Sequence, residues 1–236
     1  MSGGPGGGGD GESFAHWTPR PHPARVVLAG RYTTLEPLDP VRHGDALFAA
    51  AIAPGADDRF RYLWDTPPTD RATFDAWTQR AGQTDDPLFF AVIDHRTGRA
   101  EGRQSLMRID AANGVAEIGH ILWGPAISRT RVTTEAFALM AAYVFETLGY
   151  RRFEWKCDNR NAPSKRAALR FGFAAEGLFR KHMIIKGYSR DTAWFAMTDD
   201  DWSVRRAAFA EWLAPENFDE TGAQRRGLAA MRAAAP

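Results

Sequence analysis

The sequence predicts a mixed α/β fold, and three observations support that prediction. Val115 to Trp123 is an apolar run rich in β-branched and large residues, as expected of a buried strand. From Thr134 to Leu148 the apolar residues change to helical spacing and fall on one face. Further segments of strand and helix character alternate before and after this pair, which is the order of a mixed sheet covered by helices.

Turn and capping signals bound each predicted element. Asn113-Gly114 and Lys186-Gly187 each join two strands, and Gly30 with Arg31 indicates a bend in the first strand. The seven predicted strands are 26–38, 88–94, 100–110, 115–123, 152–157, 173–185 and 188–198. The predicted helices are 39–52, opened by Asp39-Pro40, 70–83, capped by Thr69 or Asp70, and then 134–148, 162–171 and 199–213.

We divide the chain into three parts. Residues 1–23 are mainly glycine, proline and small polar residues, which predicts a disordered leader. Residues 24–214 hold all the predicted strands and helices and form one domain. Residues 215–236 are rich in alanine and arginine, which leaves two interpretations open, a frayed helix or a flexible tail.

The composition is that of an ordinary globular protein. Of 236 residues 44% are hydrophobic, and the formal net charge is +1, which gives no reason to expect a nucleic acid or a membrane surface as partner. The single cysteine, Cys157, excludes an internal disulfide bond and is interpreted as a packed core thiol. Because no apolar run approaches the roughly 18–20 residues of a spanning helix and no signal-peptide pattern is present, we expect a cytoplasmic protein.

A polar loop separates the apolar strand from the helix that follows it. This loop, Ser128 to Thr133, contains Arg129 and Arg131. The first N–H groups of a helix are unpaired and carry partial positive charge, so such a helix start binds an anion, most often a phosphate. The two arginines add charge-assisted hydrogen bonds. The loop therefore predicts a phosphate-binding site.

Around this loop the chain resembles the GNAT N-acetyltransferases, and within them the RimJ/RimL-like branch. The segment EIGHILW, a loop, and then TEA opening a helix are similar to the family's fourth strand and third helix. Asn161 to Ser164, followed by Ala168 to Phe173, is similar to the branch's N-x-x-S and LGF segments. The resemblance covers roughly Arg25 to Asp201. It implies a GNAT-like acyl-CoA N-acyltransferase fold, in which the fourth and fifth strands splay apart to accept the pantetheine arm of acetyl-CoA.

The loop departs from the family pattern Q/R-x-x-G-x-G/A, because the aligned positions are Ser128, Arg131 and Thr133. Glycine there lets the backbone approach the pyrophosphate closely. Arg131 must instead turn its side chain away or place it on a phosphate. The resemblance implies that coenzyme A is held by the strand end, the loop and two helix starts, namely Ile121, Leu122, Trp123, Arg129, Thr130, Arg131, Val132, Thr133, Thr134, Asn161 and Ser164.

Amide formation from a thioester needs a proton acceptor for the amine and a proton donor for the leaving thiolate. The resemblance places a general base at Glu117, and the alternative is a strand glutamate paired with Arg103 or Arg108. It places Ser164 near the thiol of the cofactor, and the alternative is a serine satisfying a first-turn N–H. It implies that Asn161 forms hydrogen bonds with the pantetheine amides, and the alternative is that Asn161 only caps the helix.

Many family members use a tyrosine as the acid, and the corresponding residue here is Ala168. Tyrosine chemistry from that helix is therefore excluded, and the proton must come from Ser164, water or another strand. A histidine side chain ordinarily titrates near neutral pH, which suits His120 and His182 for a role beside the acceptor, although a lone histidine is more often structural. No cysteine, histidine or carboxylate cluster has metal-ligand spacing, so no metal is expected.

An alternating aromatic run, Phe60, Tyr62 and Trp64, follows the first predicted helix. In the GNAT fold this region borders the acceptor site, so these residues either line an acceptor pocket or pack on the sheet. The resemblance implies an N-acetyltransferase that moves an acetyl group from acetyl-CoA to a primary amine by direct attack. The expected acceptor is a protein N-terminus, a peptide or a small-molecule amine. The protein is expected to be a monomer or a homodimer. The alternative is a non-catalytic acyl-CoA-binding regulatory module.

Overall fold

The computed structural model describes residues 14–234 and contains a sheet of eight strands with helices on both faces. The strands are β1 (Leu28–Ala29), β2 (Thr33–Pro37), β3 (Leu88–Asp94), β4 (Arg99–Asp110), β5 (Val115–Trp123), β6 (Arg152–Asp158), β7 (Ala174–Ile185) and β8 (Tyr188–Thr198). Their spatial order is β1-β2-β3-β4-β5-β6-β8-β7, and β5–β6 is the parallel pair among antiparallel neighbours. The mixed α/β fold is therefore confirmed.

The helices flank this sheet and begin close to the predicted capping signals. They are α1 (Pro40–Ile52), α2 (Ala56–Phe60), α3 (Arg71–Gln83), α4 (Arg131–Ala142), α5 (Ala162–Phe171), α6 (Asp199–Trp212) and α7 (Leu228–Ala234), with a π-helical turn (Tyr143–Thr147) and a 3-10 turn (Pro215–Asn217). α4 begins at Arg131 rather than at Thr134, because the Thr130 hydroxyl accepts the Val132 N–H at 3.2 Å and caps the helix earlier.

The sheet has one strand more than predicted, because the first predicted strand is broken at the bend. The buried Glu135 carboxylate of α4 accepts backbone N–H bonds from Arg31, Tyr32 and Thr33 at 2.8, 2.6 and 2.8 Å. A Cβ at Gly30 would lie 2.5 Å from the Glu135 Cδ atom, so glycine is required there. The predicted bend is confirmed, and its cause is a buried carboxylate that holds three backbone groups.

Each face of the sheet carries its own hydrophobic core. The larger core lies under α4, α5, α6 and α7, and includes Phe137, whose ring stacks on Phe171 with centroids 4.3 Å apart. The smaller core lies under α1 and α3, and contains Phe74, Phe89 and Leu122. Because side chains of β5 alternate between the two cores, that strand is held from both sides.

β5 and β6 pair along only part of their length and then separate. Their parallel register ends at Ile118 and Trp155. Directly afterwards β5 carries a bulge, at which His120 and Ile121 lie opposite a single residue of β4. His120 has a φ of 49°, in the left-handed region, and the strand turns away there. The splay between the fourth and fifth predicted strands, which are β5 and β6, is therefore present.

The N-terminal segment is more ordered than predicted. Residues 14–23 lie against the domain, where Trp17 Nε1 donates to the Ala112 carbonyl at 2.7 Å and the Tyr150 hydroxyl donates to the Pro21 carbonyl at 3.1 Å. The prediction of disorder is therefore wrong for residues 14–23, because the Trp17 indole and the Pro21 carbonyl form hydrogen bonds with the domain. Residues 1–13 of that leader lie outside the described residues.

The C-terminal segment also belongs to the folded unit. Phe218, Leu228 and Met231 are buried in the larger core, and α7 forms the helical part. Residues 215–234 therefore lie against the domain, and residues 235–236 of the predicted tail lie outside the described residues. Three well-separated apolar side chains are enough to anchor this segment, although they leave no long periodic pattern in the sequence.

Candidate functional site

A cavity of about 960 Å³ lies at the splay between β5 and β6. We divide its lining into two parts. The loop half consists of Arg129, Thr130, Arg131, Thr133 and Thr134 with Arg170, Trp212 and Phe218, and the strand half of Tyr62, Trp64, Arg108, Glu117, His120, Lys156 and Arg190. Ile121, Trp123, Cys157, Asn161 and Ser164 line the space between the two halves.

The loop half is built on the N-terminus of α4. Arg129 is exposed beside the cavity and has a φ of 63°. The Arg131 guanidinium lies 4.3 Å from the centroid of the Tyr32 ring and 5.2 Å from that of Phe218. Arg131 therefore turns its side chain onto two aromatic rings, which leaves the helix start open where the family pattern has glycine. This arrangement offers partial positive charge and guanidinium groups to an anion.

Arg170 is a part of the loop half that the sequence did not predict. Its Nη1 donates to the Thr134 hydroxyl at 3.0 Å, and its guanidinium lies 5.0 Å from the Trp212 ring centroid. Burial lowers the pKa of Arg170 from its usual value, but a guanidinium stays charged in proteins. Its place in the last turn of α5 gives no sequence signal, because the contact with α4 is a tertiary one.

Ser164 and Asn161 lie where α5 begins, between the two halves. The Asn161 Oδ1 atom accepts the Ser164 N–H at 3.1 Å, so Asn161 caps α5 and also lines the cavity. The Ser164 hydroxyl does not cap the helix and instead accepts a hydrogen bond from Trp155 Nε1 at 2.9 Å. A hydroxyl can donate one hydrogen bond while it accepts another, and the Ser164 side chain also lies within hydrogen-bonding reach of the Cys157 thiol. Burial raises the pKa of the neighbouring Cys157 thiol, which therefore remains protonated at neutral pH.

Glu117 is buried in the strand half between two cations. Its Oε2 atom lies 2.7 Å from Arg108 Nη1 and 2.9 Å from Lys156 Nζ. The ion pair with Arg108 that the sequence analysis gave as an alternative is therefore present, and the one with Arg103 is not. Lys156 also contacts Glu154 at 2.5 Å. Glu117 lines the cavity, so the carboxylate is held rigidly at its wall.

His120 lies at the bulge of β5, and burial lowers its pKa to about 4, with a smaller contribution from the positive charge of Arg103. The imidazole is therefore neutral at pH 7. Its ring packs beside Phe89, with centroids 5.1 Å apart. Arg103 is buried too, and pairs with Asp65. A neutral histidine at this point accepts a hydrogen bond but does not act as an acid near neutral pH.

In the aromatic run after α1, one residue packs on the sheet and the other two line the cavity. Phe60 is buried in the smaller core, whereas Tyr62 and Trp64 line the cavity. The Tyr62 hydroxyl donates to the Arg160 carbonyl at 3.4 Å and so joins the run to the segment before α5.

Three of the predicted site residues do not line the cavity. Leu122 and Val132 point into the smaller and larger cores, because strand alternation and helix periodicity turn them away from it. His182, on β7, places its Nδ1 atom 3.0 Å from the Thr192 hydroxyl. Lys156 and Arg190 were not predicted, because the strand register that brings them to the cavity is absent from any local pattern.

Two further kinds of feature are absent from residues 14–234. Within that part of the chain no helix is long and apolar enough to cross a membrane. The same residues hold no group of three or more histidine, cysteine, aspartate or glutamate side chains placed to bind a metal ion.

Comparisons with known proteins agree with this geometry. The chain is similar to a GCN5-related N-acetyltransferase from Brucella melitensis, with 55% sequence identity. The match to that crystal structure covers 93% of this chain and 100% of the Brucella chain, with a TM-score of 0.92. A probable GNAT-family acetyltransferase from Chromobacterium violaceum ATCC 12472 is 37% identical, covering 82% of this chain and 96% of that one, with a TM-score of 0.76.

The sequence comparisons point the same way. The uncharacterized N-acetyltransferase p20 of Bacillus licheniformis is 30% identical over 118 residues, 48% of this chain and 64% of the relative. That match spans less than two thirds of the relative's length. Residues 34–174, more than half of this chain, match the family model of the Acetyltransferase (GNAT) domain. The chain therefore belongs to the GNAT acetyltransferase family.

Proposed function

We propose that this protein is an acetyl-CoA-dependent N-acetyltransferase of the RimJ/RimL-like branch, acting in the cytoplasm on a primary amine. The observation that carries the proposal is the single cavity that joins the β5–β6 splay to the N-terminus of α4. A splayed sheet offers unpaired backbone groups to the amides of pantetheine, and a helix start offers partial positive charge to the pyrophosphate. Both features lie in one space.

Acetyl-CoA would supply an activated thioester carbonyl as the acyl donor. Ile121 and Trp123 of β5 and the Asn161 amide would bind along its pantetheine arm, and the start of α4 with Arg129 and Arg170 would bind its phosphates. Thr130, Thr133 and Thr134 line the same end of the cavity with hydroxyl groups. The residues present therefore fit the group that the family uses.

Glu117 is the proposed proton acceptor for the attacking amine, either directly or through a water that it holds. Arg108 and Lys156 both bind its Oε2 atom, which fixes the carboxylate at the wall of the cavity. The neutral His120 imidazole and the Tyr62 and Trp64 rings would surround the amine. The amine attacks the thioester carbonyl in a ternary complex, with no covalent enzyme intermediate.

Ser164 is the proposed hydrogen-bond donor to the departing sulfur, and solvent replaces the proton that passes to the thiolate through this hydroxyl. The Ser164 oxygen accepts from Trp155 Nε1, its side chain contacts the Cys157 thiol, and the residue lines the cavity. Ala168, where the family's tyrosine would be, is buried and faces the larger core. That absence also favours the second candidate, a regulatory module that binds acyl-CoA without turnover.

One assay separates the two candidates. The enzyme proposal predicts that acetyl-CoA with a panel of peptide, protein N-terminal and small-molecule amines yields free thiol and acetylated amine in equal amounts. The regulatory proposal predicts coenzyme A binding by calorimetry without release of thiol above the rate seen without protein. If coenzyme A itself does not bind, both proposals are wrong.

A further inference from the structure

Arg190 of β8 is a buried cation at the cavity that has no acidic partner. Its side chain is among the buried charged groups, with 7% of the residue exposed, and it lines the cavity. Its Nε atom donates to the Thr192 hydroxyl at 3.0 Å. Within residues 14–234 its two terminal nitrogens make neither an ion pair nor a hydrogen bond.

The other buried cations of this face are paired. Arg103 pairs with Asp65, and Lys156 with both Glu117 and Glu154. Asp158, whose negative charge acts on Arg190, has its two oxygens taken up by the Arg160 guanidinium at 3.0 and 2.7 Å. Burial of an unpaired charge costs free energy, and a bound anion would compensate for it.

The guanidinium of Arg190 is held in one orientation. Thr192 accepts from its Nε atom and is itself 3.0 Å from the Nδ1 atom of His182. This chain of contacts fixes the inner edge of the guanidinium. The two terminal nitrogens are left as a planar fork at the cavity, which is the geometry that binds both oxygens of a carboxylate or two of a phosphate.

Arg190 belongs to the strand half and is separate from the predicted phosphate site. On β6, Trp155 bonds to Ser164 of α5, whereas the adjacent Lys156 turns the other way and lies 4.0 Å from the Trp194 ring centroid. Arg190 and Trp194 share one face of β8 by strand alternation. The helix start that suits the cofactor phosphates is on the α5 side, so an anion at Arg190 comes from a different ligand.

We propose that the acceptor is a primary amine that also carries an oxyanion, a carboxylate or a phosphate-type group, and that Arg190 binds this oxyanion. The inference rests on the proposed function, because it assigns the substrate class of the same site. In this account Glu117 receives the amine while Arg190 fixes the opposite end of the acceptor. Arg190 is then a specificity-determining residue, and simple alkylamines are poor substrates.

The test compares matched pairs of amines that differ only in the anion. The pairs are phosphoethanolamine with ethanolamine, and L-phenylalanine, β-alanine and 4-aminobutyrate with the amines that lack their carboxylates. Binding to the full-length protein saturated with coenzyme A is measured by calorimetry, for wild type, Arg190→Gln, Arg190→Lys and Arg180→Gln. Arg180 is an exposed arginine of β7 outside the cavity lining, and its variant controls for the change in net charge.

The expected result is that at least one anionic amine binds more tightly than its neutral partner. Arg190→Gln should weaken that binding about ten- to a hundredfold, the usual effect of losing a charge-assisted contact. Arg190→Lys should restore part of it, and Arg180→Gln should leave it unchanged. The inference is overturned if no anionic member is preferred, or if the preference survives in Arg190→Gln.

Acetyl transfer, measured in parallel by thiol release, separates this inference from the proposed function. Transfer to neutral amines as fast as to anionic ones would retain the enzyme and reject the role of Arg190. Selective binding of anionic amines without any thiol release would retain the role of Arg190 and reject catalysis.

Discussion

The two halves of the cavity use charge in different ways. The loop half presents the start of α4 and an exposed arginine, Arg129, at the edge of the solvent. The strand half buries Glu117 and Lys156 as an ion pair, and the carboxylate also pairs with the exposed Arg108, so each of these charges depends on its neighbours. Changes in the loop half should therefore alter affinity for an anionic cofactor, whereas changes in the strand half should alter turnover and folding stability.

The largest effect is expected in the strand half. Glu117→Gln should lower turnover by ~10²–10⁴ while coenzyme A affinity changes little, because the amine loses its proton acceptor. Steady-state thiol release and calorimetry measure the two quantities. Glu154→Gln is the matched control, since Glu154 also contacts Lys156 at 2.5 Å but does not line the cavity. If Glu117→Gln turns over as fast as Glu154→Gln, then Glu117 serves only as an ion-pair partner.

The corresponding change in the loop half removes both arginines. Arg129→Ala with Arg131→Ala should weaken coenzyme A binding about ten- to over a hundredfold, because it removes one charge-assisted phosphate contact, that of Arg129, which contributes ~1.5–3 kcal/mol, together with the nearby positive charge of Arg131. Calorimetry measures it directly. The matched control is Arg96→Ala with Arg99→Ala, two exposed arginines at the β3–β4 turn. Equal affinity of the two double variants would contradict a role for this loop in cofactor binding.

Ser164 lies between the two halves of the cavity, and its substitution tests its role in acetyl transfer. Ser164→Ala should slow acetyl transfer about two- to tenfold, the usual range for one lost hydrogen bond, and leave coenzyme A affinity largely intact. The loss should grow at high pH, where solvent supplies protons less readily. A lower melting temperature with unchanged turnover at every pH would instead mean that Ser164 only satisfies the Trp155 indole.

The smallest effect is on the pH dependence of stability. The pKa of His120 is about 4 in the folded protein, against the ordinary value of 6.5 that applies in the unfolded chain. As the pH falls, the unfolded chain therefore binds this proton first. Folding stability should therefore fall as pH drops from about 6.5 toward 4, and His120→Gln should reduce that fall. Denaturant unfolding at a series of pH values measures the slope. His95→Gln, at an exposed turn, is the control, and an unaltered slope in His120→Gln would disprove the assignment.

The two halves also differ in how far the sequence predicts them. The centre of the loop half, Arg129 to Thr134, is one continuous segment, and its arginines before a helix give a local signal of an anion site, whereas Arg170, Trp212 and Phe218 join it through tertiary contacts. The strand half is assembled from β4, β5, β6, β8 and the segment after α2, so the contacts of Lys156 and Arg190 depend on strand register. No periodicity in one strand specifies which residue of another strand will face it. Turn and cap signals predicted the element order, but not the packing of residues 14–23 and 215–234 against the domain.

The same reasoning applies to the helix that follows the loop. The TEA segment resembled the family, yet nothing local predicted that the Glu135 carboxylate would bind three backbone N–H groups of the β1–β2 bend. That contact joins residues about a hundred positions apart. It explains why the first predicted strand is divided into β1 and β2, which brings the number of strands to eight.

The most direct test of the central claim is a crystal structure of the protein with coenzyme A. The account predicts the pantetheine arm between β6 and the Ile121–Trp123 segment of β5, with the pyrophosphate at the first turn of α4 within hydrogen-bonding distance of its backbone N–H groups. Coenzyme A bound outside the β5–β6 splay, or with its pyrophosphate away from α4, would contradict it.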